Sequence, residues 1–146
     1  MNLVKRIDQY DENNLFFSEP IKNNIMIDGK FIRIIYSTFN ISLNGIYLLI
    51  PLNDVTFEKY YTKYKCCFNV FSHKDMIHNI KQIEENILKK YGSSNKVPQY
   101  KIYEQLKNGN IKIFSDTSIG SFILKISGIW ETPYNCGLTY KFYTTK

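Results

Sequence analysis

The sequence predicts an α+β domain: an antiparallel β-sheet or OB-like barrel carrying one inserted amphipathic helix and a C-terminal β-hairpin. Three observations carry this expectation. Residues 122–131 and 137–143 are β-type runs flanking a turn that holds Pro133 and Asn135. Residues 73–91 repeat apolar side chains at helical spacing. The composition is 44% hydrophobic and 16% aromatic, and its Ile, Tyr and Phe content favours sheet over a helix bundle. A chain of 146 residues reads as one domain, large enough to bury a core without disulfide or metal support.

The elements follow in order. Residues 8–24 are polar and Asn-rich around Leu15, Phe16 and Phe17, and 1–24 read as a loosely docked lead-in with one short strand. Ile25, Met26 and Ile27 run into Asp28-Gly29, a turn signal. Residues 31–36 are β-branched and aromatic and read as a strand. Asn44-Gly45 predicts a hairpin turn joining residues 31–43 to 46–51, with Pro51 at a strand end or edge. The second half of 57–71 reads as a strand. Tyr64, Cys66, Phe68 and Val70 share one face there, and Lys63, Lys65, Cys67 and Asn69 the other.

The helix at 73–91 has Ile77, Ile80, Ile83, Ile87 and Leu88 as its stripe. Ser72 and Asp75 form a capping box at its start. Lys89 and Lys90 fill the last turn, and Gly92 follows as C-cap. Pro98 opens a second, shorter helix with Ile102, Tyr103 and Leu106 as its stripe and Gly109 as its stop; a strand hairpin at Asn108-Gly109 is the rival reading. Residues 111–114 make a short strand. In the closing hairpin, Phe122, Leu124 and Ile126 share one face, with Ile123 and Lys125 on the other. Leu138, Tyr140 and Phe142 are likewise divided from Thr139, Lys141 and Tyr143. Trp130 is expected to be buried with its indole N–H paired.

The formal net charge is +6, which suits polyanionic partners. The chain has no Ala and abundant Lys, Asn and Ile, the profile of an AT-rich coding sequence, and part of the Lys excess follows from that. Residues 1–73 carry 8 basic and 7 acidic groups, and residues 74–146 carry 11 and 6. Three cysteines, two of them adjacent (Cys66, Cys67, Cys136), do not make a disulfide framework and point to a reducing compartment. The N-terminus has no apolar signal region, and no apolar run reaches membrane-spanning length. The expectation is a soluble, intracellular protein without a membrane partner.

Catalytic signals are weak. His73 and His78 are five apart and read as a surface helix start. No C-x-x-C or H-x-x-x-H pair offers zinc ligands. Cys136 lies in a turn without a local base. Glu84 and Glu85 read as solvated, and no Gly-rich phosphate loop occurs. We expect no catalytic residue, no metal and no cofactor.

Aromatic residues interleaved with cations remain. Lys59, Tyr60, Tyr61, Lys63, Tyr64 and Lys65 form the densest run, joined by Arg33 and Tyr36 on an early strand and Lys141 and Tyr143 on the last. Single-strand binders stack bases on flat rings and meet phosphates with cations. The expected partner is single-stranded DNA, or RNA. The alternative is a virion or protein–protein interaction module without nucleic-acid binding. Replication or virion proteins, and a second copy of the chain in a homodimer, are the further partners expected. An enzyme whose site is assembled from distant residues is the third reading.

Trp130-Glu131 after residues 125–129, then the run 137–142, resembles the C-terminal signature of a family of small proteins of large nucleocytoplasmic DNA viruses. Asn44-Gly45-Ile46-Tyr47 and residues 104–109 are similar as well. The resemblance implies an intracellular location in host cytoplasm or nucleus. Some such viruses carry single-stranded DNA-binding proteins similar to compact phage ones, with an OB-type barrel and an inserted helix. Those phage proteins end in an acidic tail, whereas this chain ends Tyr143-Thr144-Thr145-Lys146.

Overall fold

A computed structural model describes residues 3–23, 29–92, 95–113 and 120–145. The expected elements at 25–28 and at Phe114 lie outside the described residues. The fold is α+β, mostly strand with one main helix.

The described strands are β1 (Lys5–Arg6), β2 (Leu15–Phe17), β3 (Ile21–Asn23), β4 (Gly29–Ser37), β5 (Ser42–Asn44), β6 (Ile46–Ile50), β7 (Thr56–Tyr60), β8 (Lys63–Cys67), β9 (Val97–Gln99), β10 (Asn110–Ile113), β11 (Ser121–Glu131) and β12 (Asn135–Thr145). Helix α1 spans Lys74–Tyr91 and α2 spans Lys101–Lys107. The main path runs β1-β6-β11-β12-β10-β8-β7, and it does not close.

The sheet is mixed, which corrects the antiparallel expectation. β1 runs parallel to β6, and β9 and β10 run parallel to β12. The reason lies in the connections. Each parallel pair joins strands separated by a long stretch of chain, as parallel pairing requires: residues 7–45 lie between β1 and β6, residues 100–134 between β9 and β12, and β10 reaches β12 only by way of β11. The C-terminal hairpin is the centre of the molecule. β12 pairs with β11 along its length, with a bulge between Ile126 and Gly128. β11 is shared in turn by β6 at residues 122–126 and by β4 at residues 128–131.

Gly128 makes that sharing possible. A Cβ there would fall 2.3 Å from the Ile32 carbonyl oxygen and 2.6 Å from the Phe31 ring. Gly45 plays a different part from the one expected. β5 pairs with β4, and β6 pairs with β11 and β1, so Asn44-Gly45 is not a hairpin turn. It redirects the chain from one strand's flank to another's. Its φ is +104°, and a Cβ would lie 2.9 Å from the Ile126 carbonyl oxygen. The β4–β5 turn instead closes at residues 38–41, where the Thr38 N–H donates to the Ile41 carbonyl.

α1 packs Ile77, Ile80, Ile83, Ile87 and Leu88 into the core. Gly92 ends it in the left-handed region at φ +76°. The expected Ser72–Asp75 box is absent. His73 occupies the N-cap position without a side-chain cap bond, and the Ser72 hydroxyl donates to the Asn69 carbonyl. Pro98 lies in β9, and α2 begins three residues later at Lys101. Ile102 and Leu106 are fully buried. In the lead-in, Leu15 is fully buried and β2 pairs with β4.

The sheet therefore has an inner face, where Leu124, Ile126, Leu138 and Phe142 meet the helices, and an outer face. The sheet curls strongly. Phe57 of β7 stacks on Phe122 of β11 with ring centroids 6.1 Å apart, although four strand spacings in a flat sheet are roughly 19 Å.

Candidate nucleic-acid interface

Strand register assembles a row of cations on the outer face. Lys65 of β8 is paired with Lys112 of β10. Ile113 is paired with Phe142, which sets Lys112 beside Lys141 of β12. Lys141 is paired with Lys125 of β11, and Lys125 with Tyr47 of β6. Strand spacing of about 4.8 Å spreads these four lysine positions over roughly 14 Å. Glu58 of β7, opposite Lys65, ends the row.

Like charges directly opposite each other destabilise a sheet. This sheet places Lys65 opposite Lys112 and Lys125 opposite Lys141. Among the described residues, no salt bridge joins these four lysines to an acid. Two of them rest on rings instead: Lys125 Nζ lies 5.5 Å from the Tyr47 centroid, and Lys141 Nζ 5.6 Å from that of Tyr143. Burial, then the nearby Tyr47, raises the Tyr143 phenol above its usual range.

The dense run at 59–65 is a hairpin of β7 and β8; β8 is the strand expected in the second half of 57–71, ending at Cys67, and β7 adds a strand that was not expected. Tyr61 sits at its tip with φ +56°. Tyr60 and Tyr61 are 62% and 82% exposed, with rings T-shaped at 4.8 Å. Alternation divides the run between faces. Tyr60, Lys63 and Lys65 belong to the outer face, and Lys59 is paired with Tyr64 on the other. Tyr64 packs against the core. A concavity of about 480 Å³ lies along this end of the row, lined by Lys63, Lys65, Asn110 and Lys112 of the outer face and also, across the hairpin, by Lys59 and Tyr64.

Arg33 is exposed and paired with Gly128, which is itself paired with Thr139, so it joins the outer face near the row. Tyr36 does not. It is 1% exposed, stacks on Tyr10, and accepts a hydrogen bond from the Asp11 N–H at 3.0 Å. Lys63, Lys65, Lys141, Tyr143, Tyr60 and Arg33 thus share one face, whereas Tyr36 and Tyr64 belong to the core. Lys112, Lys125 and Tyr47 were missing from the sequence-based set. Lys125 was already legible as facing away from the core, but its neighbours become visible only through strand pairing.

Other residues depart from expectation. His73 is 4% exposed and not at the surface. Its Nδ1 donates to the Asn69 carbonyl at 2.6 Å, and its Nε2 accepts from the Asn53 N–H at 3.0 Å. Glu84 is 1% exposed and not solvated. Its carboxylate accepts the Ile102 and Tyr103 N–H groups at 3.0 and 2.9 Å, capping α2 from α1. Burial raises its carboxyl to about 7 against the lowering effect of those two bonds. Cys136 belongs to β12 and is buried. Burial pushes the Cys66 thiol up to about 11 and the Cys136 thiol above its usual range, so neither is an activated nucleophile. Trp130 is only half-buried, with its indole lying across Gly137.

Among the described residues, no three His, Cys, Asp or Glu side chains gather as metal ligands, and no helix is long and apolar enough to cross a membrane. No family model, curated protein or solved structure matches the chain.

Proposed function

We propose that the protein binds single-stranded nucleic acid, DNA in the first instance, across the outer face of its sheet. The observation that carries this reading is the lysine row. Four cations held in register, two pairs of them directly opposed, lower the stability of a free sheet, and a polyanion lying along the row relieves that cost. The phosphates follow Lys65, Lys112, Lys141 and Lys125. Tyr60 and Tyr61 at one end, and Tyr143 beside the row, are the rings on which bases stack. We read the curl that brings Phe57 onto Phe122 as OB-like, the architecture that the sequence resemblance implies. In this reading the protein is a non-enzymatic, intracellular one.

Anisotropy of a labelled, unstructured oligonucleotide against salt tests the proposal. Log affinity should fall linearly with log salt, by about 0.7 per phosphate neutralised. Absence of binding at low salt overturns it. The exposed Phe57 and Tyr60 on the edge strand β7, with Tyr61 at the hairpin tip, would then be read as a protein interface.

A further inference from the structure

A second basic concavity lies away from the lysine row, where the first turns of α1 meet α2 on the helical side of the sheet. It measures about 340 Å³, with Val70 and Ile77 as an apolar floor and Lys74, His78, Lys81 and Lys107 around it. Lys74, His78 and Lys81 stand at i, i+4 and i+7, so helical periodicity puts them on one stripe. Lys107 comes from α2.

Tyr103 gathers two of these cations. Lys81 Nζ lies 4.8 Å from its ring centroid and Lys107 Nζ lies 5.7 Å from it. A ring face attracts a cation through its quadrupole but does not neutralise it. Among the described residues, the one salt bridge to this group joins Lys81 to Glu85 at 3.8 Å, between exposed side chains. Such a pair contributes little. The cleft therefore holds more positive charge than its own surroundings balance.

We infer that this cleft is a second anion site, built for the phosphate group of a phosphate-bearing ligand. A diphosphate spreads its charge over several oxygens, and so can meet Lys81 and Lys107 at the Tyr103 ring while Lys74 and His78 donate from the helix. The apolar floor excludes water beneath it and strengthens each contact. A free diphosphate ligand and a nucleic-acid backbone share this chemistry. The site uses none of the lysines of the outer row, so it stands or falls separately from them.

NMR of the two imidazoles tests it at fixed pH. His73 is buried with both ring nitrogens bonded and serves as the internal reference for His78. Inorganic diphosphate should shift the His78 signal saturably and leave that of His73 in place. Lys81→Gln with Lys107→Gln should weaken this binding at least tenfold, while Lys112→Gln with Lys141→Gln should change it less than twofold. An oligothymidylate titration separates the sources. If it moves His78 with the same dependence on Lys81 and Lys107 and diphosphate does not, the backbone of a strand is the ligand. If neither probe moves His78, or both double variants weaken binding equally, there is no discrete site and the inference is wrong.

Discussion

Two lysine-rich regions of this molecule behave in opposite ways. The segment 59–65 packs three lysines and three tyrosines into seven residues, yet the hairpin divides them. Lys59 faces away from Lys63 and Lys65, and Tyr64 turns into the core. Lys65, Lys112, Lys125 and Lys141 are scattered over 77 positions of the sequence, yet strand pairing sets them side by side. Crowding along the chain and crowding in space are different properties, because alternation separates neighbours in a strand while register joins distant residues.

The severest way to break this comparison is to remove what holds the sheet. Ile83 packs α1 onto the inner face. Ile83→Asp buries an unpaired carboxylate and should cost about 4 kcal/mol in chemical denaturation, taking oligonucleotide binding with it. A melting temperature near wild type would show that the row does not depend on the helical layer.

Glu84 tests the hidden side of the comparison, a charge whose place in the sequence suggests solvent. Its carboxyl is raised to about 7 in the folded protein against an ordinary value of about 4.3 in the unfolded chain. Below the ordinary value it is protonated in both states and this stabilising contribution is fully present. It is lost as pH rises through about 7, because the unfolded chain releases its proton first. The loss is of order 3–4 kcal/mol. Glu84→Gln should flatten stability between pH 4.5 and 7 while keeping a carbonyl oxygen for one N–H of α2. A slope identical to wild type would assign the pH dependence elsewhere.

The two lysine regions should also fail differently in binding. Tyr60→Ala should cost about 1–3 kcal/mol of affinity through lost stacking and leave the salt slope unchanged. Lys112→Gln with Lys141→Gln should reduce the slope of log affinity against log salt by about 1.4, and Lys59→Gln should leave it as it was. If Lys59→Gln has the larger effect, the dense run binds and the row does not.

The smallest effect is the most pointed. Lys112→Gln removes a like-charge neighbour of Lys65 and should raise folding stability by about 0.2–1 kcal/mol at low salt, even as it weakens binding. A variant that is less stable would mean that the row is not electrostatically strained.

Local and periodic features were readable from the chain. The stripe of α1, its Gly92 terminus and the alternation of the closing hairpin all follow from residues within one or two turns or strand repeats of each other. Features that depend on a second chemical partner were not. Glu84 looks like any helix carboxylate until α2 presents two N–H groups to it, and His73 looks like a surface residue until Asn53 and Asn69 close around it. Asn44-Gly45 carries a hairpin signal, but its glycine is needed for a close approach to Ile126. Which residues alternate, and which side of each strand is polar, follows from the order of residues alone, since backbone geometry sets the period. Which polar sides lie together does not, because register between strands far apart in the chain is chosen by packing of the whole inner face. The lysine row is a consequence of that choice on the face opposite.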